Sequence, residues 1–411
     1  MRILHTADWH LGDRLGRIDR TDDLRRAVER VARLCQEHAV DVLLIAGDLF
    51  SEMARPDSLR ASIEHLQTTF HDFLLSGGTI LALTGNHDNE TFCQTLRLVM
   101  TLAAPAPSRP GELRPAGRLY LATNPTFLRL ADRHTGQQVQ FLLMPYPTPP
   151  RYLRDDEQQR YGSVEEKNRH LQAAYAQKLA EFQQDARYDK ALQTVLSAHV
   201  HVRGVSAANL FRMTETESIL FEASDLPAQM AYVALGHIHQ PQTLFGLPHV
   251  RYSGSIERLD LGERNDQKGV VLVDIGPDGR QGAPVFLPLD ATPVYDVTLH
   301  TPLADHIAGL REQHPDAHND LVRLHFTYTA GVDNLEESLR QLEEIFPRWY
   351  YRDWVEAGSL NGSLVGGDGD RPQGFEETVR GYLKQELANH PDEDRDAVLA
   401  LAEKLLHEVQ A

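Results

Sequence analysis

Five short segments set carboxylate, amide and imidazole side chains directly after apolar runs. They are Asp8 and His10 in "ADWHLG", Asp48 in "IAGDLF", Asn86, His87 and Asp88 in "LTGNHDN", His199 and His201 in "SAHVHVRG", and His237 and His239 in "LGHIHQ". Singly, each has an ordinary reading: Asp-X-His after a strand can be a cap or turn, and the Asp of "AGD" a loop start. His-X-His puts two imidazoles on one face of an extended segment, because side chains there alternate with period two. Jointly, one buried strand after another ending in Asp, Asn or His is not a chance placement, and the set reads as metal ligands. Oxygen and imidazole donors without thiolate suit Mn(II) or Fe(II) and accommodate Zn(II), whereas a structural zinc site draws on Cys or a closed set of four. The candidates exceed the needs of one ion. Two cations about 3.5–4 Å apart sharing a bridging carboxylate would use them, and the natural reaction is in-line hydrolysis of a phosphoester.

Strands must present these residues, and the apolar pattern supplies them. "RILHTA", "VDVLLIAGD" and "GTILALTGNHD" read as buried strands, separated by helical patterns from Asp22 to His38 and from Ser58 to Leu75, the latter capped by Asp57 or Ser58. That order is an α/β pattern, and ligands of open α/β sheets lie beyond the carboxyl ends of strands. "FLRLADRHTGQQVQFLLMPY" reads as a hairpin turning at "HTGQ", followed by a long helix from Val164 to Arg187 and strands at "TVLSAHV", "AYVALGHIH", "VRYSGS", "GVVLVDIG" and "APVFLPL". From about residue 290 the pattern becomes β-α-β-α-β, with helices near Leu303–Gln313 and Leu335–Phe346, a small α+β unit. The glycine- and aspartate-rich run after Gly358 reads as a linker. Two amphipathic stripes follow between Phe375 and Val409, suited to packing on the chain itself or on another protein.

Bulk composition bounds the partners. The 411 residues include 59 acidic and 41 basic side chains, a formal net charge of −18. That balance speaks against a stand-alone nucleic-acid binder, because phosphate backbones attract basic surfaces. Cys35 and Cys93 are the only cysteines, which excludes a disulfide framework. The first residues lack a signal-peptide pattern, and apolar runs such as "VLLIA" are far shorter than a membrane span, so a cytoplasmic protein without membrane contact is expected.

"DWH", "GD", "GNHD", "AH" and "GHIH", in this order and spacing, resemble the calcineurin-like metallophosphoesterases. With "MRILHTADWHLG", "YVALGHIHQPQ" and "VRYSGS" the chain is similar more narrowly to the nuclease subunits of SbcCD-type complexes, bacterial relatives of the meiotic-recombination double-strand-break nuclease. The resemblance is strongest from residue 1 to about 275 and architectural beyond. It implies an α/β fold: a metallophosphoesterase β-sandwich flanked by helices over 1–289, a small α+β DNA-capping domain over 290–357, a linker over 358–373 and a helical partner-binding segment over 374–411. It implies two divalent ions, Mn(II) above all. Asp8, His10 and His239 would hold one and Asn86, His199 and His237 the other, with Asp48 bridging. His87 would face the scissile phosphate and help protonate the leaving oxygen, and Asp88 would orient the His87 ring. The implied activity is 3'-to-5' exonuclease on duplex ends and endonuclease on single strands or hairpins. The implied partners are DNA, a coiled-coil ATPase bound through 374–411 and a second copy of the chain in a two-plus-two complex, in the cytoplasm at the nucleoid.

Some positions depart from that family's pattern. Ser51 stands where many relatives carry an acid or His, and "AHVHVRG" lacks a glycine before its first His, leaving His201 as an extra imidazole beside the site or on the surface. Gly254 in "RYSGS" either brings backbone to the phosphate or makes a plain turn. A small-molecule phosphodiesterase would share the metal ligands but seldom needs the extra domain and tail. A catalytically silent scaffold would be expected to lack a ligand or His87, and none is missing.

Overall fold

The computed structural model describes residues 1–107, 109–153, 161–205, 219–222 and 229–357; the linker and helical segment expected over 358–411 lie outside them. In chain order the first elements are β1 (Arg2–Thr6), β2 (Arg14–Leu15), β3 (Ile18–Asp19), α1 (Thr21–Glu37), β4 (Val42–Ile45), α2 (Pro56–Thr69), α3 (His71–Leu75), β5 (Thr79–Leu83), α4 (Glu90–Ala103) and β6 (Leu119–Ala122). Next come β7 (Thr126–Ala131), β8 (Gln138–Met144), α5 (Pro149–Tyr152), α6 (Val164–Gln184), β9 (Gln193–His199), β10 (His201–Val202), β11 (Leu220–Phe221), β12 (Tyr232–Gly236), β13 (Gln242–Leu244) and β14 (Leu247–Tyr252). The last are β15 (Gly269–Gly276), β16 (Gly279–Arg280), β17 (Val285–Pro288), β18 (Val294–Leu299), α7 (Leu303–Gln313), β19 (Leu321–Tyr328), α8 (Leu335–Ile345) and β20 (Trp349–Glu356).

Two sheets form the larger body. One has the order β16-β15-β1-β4-β5-β6, with β17 beside β15; β1, β4, β5 and β6 are parallel. The other has the order β13-β14-β12-β9-β8-β7, with β14, β12, β9 and β8 parallel. Their strands are apolar on both faces, so each sheet needs cover on both sides. In β4, Val42 and Leu44 enter the core between the sheets, while Leu43 and Ile45 face the helices α1 and α2. In β12, Tyr232 and Ala234 face inward and Val233 and Leu235 pack with Leu171, Tyr175 and Leu179 of α6. The result is a sandwich flanked by helices. Each fully buried Val or Leu contributes roughly 1.5–3 kcal/mol, and the alternation holds the register, because a one-residue slip would turn every inner side chain outward.

The helix expected from Ser58 to Leu75 is two helices. It starts at Pro56, whose missing N–H and preset φ suit the first helical position, and it breaks at Phe70, buried against Trp9 and Phe73. α4 was not anticipated; Asn89 caps it by accepting the Phe92 N–H at 2.9 Å.

β18, β19 and β20 make a separate parallel sheet, with α7 and α8 packed on one face around Leu324, Phe326, Ile307 and Leu342. It rests on the β2–β3 hairpin and on α1. Arg17 donates from Nε to the Trp349 carbonyl at 2.8 Å and lies 3.7 Å above the Trp349 ring. Arg348 donates to Asp23, which also accepts from Arg20 and Arg26. Burial opposes charge on Asp23, but Arg348 and Arg20 outweigh it and lower its pKa.

Candidate metal centre

Local geometry explains why these strand ends converge. β1, β4 and β5 deliver Asp8, His10, Asp48 and Asn86 from one sheet; β9 and β12 deliver His199, His237 and His239 from the other. Trp9, fully buried, sends its ring into the helix-side core and donates from Nε1 to Thr6 Oγ1 at 2.9 Å, pinning the chain between Asp8 and His10. The loop after β1 is laced to the loop after β4: the Asp8 N–H donates to the Gly47 carbonyl at 3.0 Å, and the His10 N–H to the Asp48 carbonyl at 3.0 Å. Asp8, His10, Asp48 and His237 all have positive φ, at 54°, 47°, 51° and 100°. Such backbone costs about 1–3 kcal/mol per residue and persists only where the surroundings over-determine it. Glycine is required beside them. A Cβ on Gly85 would lie 2.0 Å from Asp48 Oδ1, and one on Gly47 2.1 Å from His199 Nδ1.

Asp48 sits at the middle. Its Oδ1 accepts the His87 N–H at 2.8 Å, and its Oδ2 lies 3.2 Å from His199 Nε2 and 3.6 Å from His10 Nε2. Asn86 Oδ1 is 3.0 Å from His199 Nε2 and 3.0 Å from His237 Nδ1. On the other side, Asp8, His10 and His239 present donor atoms within 4.8 Å of one another, as do Asp8, Asp48 and His199. His199 Nδ1 lies 2.8 Å from the Ala46 carbonyl, which can only accept, so Nδ1 holds a proton. In the neutral ring, Nε2 then aims a lone pair at the oxygens of Asp48 and Asn86. Only a cation, proton or metal, reconciles that meeting of acceptors, and the donor set fits a divalent metal.

The electrostatics agree. Burial disfavours charge on His199, but the adjoining Asp48 carboxylate outweighs it and raises the imidazole to about 9. Asp48 lies well below the usual carboxylate range: burial pulls it up, and His199 and His10 prevail. Burial, with His199 beside it, pushes His237 well down. Burial raises Asp8. Glu263 is held well below its ordinary range, burial being outweighed by Lys268 and His239.

The structure thus brings together Asp8, His10, Asp48, Asn86, His199, His237 and His239. His87 lies beside them, its ring centroid 5.0 Å from that of His10. Asp88 does not orient the His87 ring, contrary to expectation. Its oxygens accept backbone N–H groups of Phe50 at 2.8 Å, Gly85 at 2.8 Å and Leu49 at 3.2 Å, which ties two site loops together. The carboxylate beside His87 is Glu52, with Oε1 3.4 Å from Nδ1. Ser51 turns aside to donate to Asp13 at 3.1 Å. His201 packs near His237, ring centroids 5.8 Å apart, and Gly254 (φ 78°) lets its turn close on the His239 carbonyl. Sequence reasoning missed Glu52, Tyr146, whose ring lies 5.8 Å from that of His237, and Glu263, whose Oε1 accepts from His239 Nδ1 at 2.8 Å. None of these follows a strand with a recognisable signal.

The chain is similar to several known proteins. The calcineurin-like phosphoesterase model matches residues 1–241. The SbcCD nuclease subunit of Escherichia coli (strain K12) is 29% identical over 282 residues, covering 66% of this chain and 64% of that protein, just under two thirds of its length. The corresponding protein from Rhodobacter capsulatus is 30% identical over 311 residues, covering 70% of this chain and 69% of that one. The one from Bacillus subtilis is 29% identical over 286 residues, covering 67% of each. Among solved structures, a dimetal phosphatase from Danio rerio superposes with a TM-score of 0.36 at 10% identity over 71% of this chain and 99% of that one, too loosely to bear on the site.

Proposed function

The chain belongs to the calcineurin-like phosphoesterase family, and we propose that it is the Mn(II)-dependent DNA nuclease component of a complex with a coiled-coil ATPase. The carrying observation is the convergence of Asp48 Oδ2, Asn86 Oδ1 and the His199 and His237 nitrogens from two sheets, in a chain similar to the SbcCD nuclease subunits. The reaction would be phosphodiester hydrolysis, exonucleolytic from the 3' side at duplex ends and endonucleolytic on single strands or hairpins. The working site is cytoplasmic, at the nucleoid.

Asp8, His10 and His239 would hold one ion, Asn86, His199 and His237 the other, and Asp48 would bridge. When bound, such a pair supplies positive charge against phosphoryl oxygens and lowers the pKa of water. The rest falls to the chain. Asp48 is braced by the His87 N–H, so its Oδ2 stays aimed between the two ligand groups. Glu52 faces His87 Nδ1, which leaves Nε2 to give a proton to the leaving oxygen. Asp88 keeps the loops carrying Asp48 and Asn86 at fixed spacing. The small sheet of β18–β20, seated against the hairpin that follows His10, would cap DNA beside the site, and residues 374–411 would bind the ATPase.

The net charge of −18 favours a second reading, a small-molecule phosphodiesterase. One experiment separates the two: the purified chain with Mn(II) and end-labelled linear duplex, with and without the ATPase partner, beside bis-p-nitrophenyl phosphate. Cleavage of duplex ends dependent on the partner supports the nuclease. Turnover of the small ester with no DNA cleavage in either arm overturns it.

A further inference from the structure

His239 is held by a buried carboxylate that lies outside the candidate ligand set. Its Nδ1 is 2.8 Å from Glu263 Oε1. Glu263 is fully buried at the end of a short 3-10 turn, Leu261–Glu263, and its Oε2 accepts from the Leu259 N–H at 3.1 Å and from Lys268 Nζ at 2.7 Å. Lys268 is also fully buried. Its ammonium has three hydrogens and three acceptors: Glu263 Oε2, Asp266 Oδ2 at 3.1 Å and the carbonyl of His239 itself at 2.9 Å. The lysine therefore grips His239 by its backbone and Glu263 by its carboxylate, while Glu263 grips the ring.

We propose that Glu263, locked by Lys268, is a positioning residue that sets the tautomer and aim of His239, so that the ion held by Asp8, His10 and His239 owes its affinity to a carboxylate–lysine pair that touches no metal. An ionised carboxylate only accepts, so Nδ1 carries a proton, and in the neutral ring Nε2 holds the lone pair and is the donor left for the group with Asp8 and His10. The ring's rotation is fixed by the same bond, and its backbone by Lys268. A buried, fully hydrogen-bonded acid and base pair is a costly way to stabilise a loop, since an apolar pair of similar volume does so equally well. Here the pair does what an apolar pair could not, which is to hold the imidazole by a hydrogen bond. Partners of this kind beyond the ligands change metal affinity by about 10- to 100-fold when removed.

The inference rests on reading Asp8, His10 and His239 as one ligand group, and its test keeps the two apart. The full-length chain, stripped of metal, is titrated with Mn(II) while the electron paramagnetic resonance signal of free Mn(II) is read. Three forms are compared: wild type, Glu263→Gln and the double variant Glu263→Gln/Lys268→Met, the last removing an ammonium left with Asp266 as its one carboxylate partner should the single variant fold poorly. Wild type is expected to bind two ions. In the double variant one of the two is expected to weaken by about 10- to 100-fold and the other to stay within about twofold. Long-range nitrogen-15 spectra of the metal-free chain, recorded at a pH where the ring is neutral, are expected to show His239 as the Nδ1–H tautomer in wild type and as a mixture in the variants. Unchanged affinity at both ions in a folded double variant, equal weakening of both, or an Nε2–H tautomer in wild type overturns the proposal. Wild type that binds no Mn(II) overturns the ligand grouping itself.

Discussion

His87 and Asp88 are neighbours in sequence and opposites in environment. The imidazole lies at the mouth of the site, near His10 and within reach of Glu52; the carboxylate is buried under three backbone N–H groups. Their variants should therefore fail differently. His87→Gln is expected to retain both Mn(II) ions and to lower hydrolysis by about a hundred- to ten-thousand-fold, the usual worth of general acid–base help. Ion content by anomalous diffraction, read beside the rate, checks it; an empty ion position would make His87 a ligand. Asp88→Ala leaves three buried donors without an acceptor, at about 1–3 kcal/mol each. It should lower the melting temperature and the metal content together, and a variant with normal stability but no activity would return Asp88 to a chemical role.

At the scale of elements, two contacts have consequences. Gly85→Ala places a Cβ 2.0 Å from Asp48 Oδ1 and 2.6 Å from the Asp48 backbone nitrogen, so Asp48 must leave its position between the ligand groups. The sandwich core is elsewhere, and the expected result is a folded chain, by circular dichroism, that binds Mn(II) at least tenfold more weakly. The second contact is Arg348 on Asp23, which seats the three-stranded sheet on α1. The folded pKa of Asp23 lies below its ordinary 3.8. A depressed carboxylate contributes stability that is present above its unfolded pKa and is lost as pH falls through the folded one. Wild type should thus release this contact as pH falls below 3.8 and through the lower folded value, and Asp23→Asn should have released it already at pH 7. Hydrogen exchange in β19 and β20 reports it, and protection indifferent to both changes would show that the hairpin contacts of Arg17 suffice.

For the molecule as a whole, the proposed function puts chemistry and assembly in different parts of the chain. Removing residues 374–411 is expected to leave Mn(II)-dependent turnover of bis-p-nitrophenyl phosphate within about twofold, because the donors described for the site all lie before residue 264. Co-purification with the coiled-coil ATPase should be abolished. Retained binding would move the partner surface into 1–357. Hydrolysis should also be stronger with Mn(II) than with Mg(II), since imidazole ligands suit manganese better.

The sequence by itself determined most of the strands and the types of side chain that gather at their ends, though not α4 or the break between α2 and α3. Strands apolar on both faces required covered sheets, and Asp, Asn or His after five of them marked the strand ends where the two sheets meet the site, because alternation and placement at a strand end are local properties of the chain. What it left open was what only the tertiary structure decided: that Asp88 braces loops while Glu52 faces His87, that Ser51 turns to Asp13, and that Glu263, 24 residues beyond His239, holds that ring. These are matters of where a side chain points once the loops have packed. Loop direction here is set by positive-φ residues and by glycines with no room for a Cβ, contacts between segments far apart in the chain that no spacing encodes.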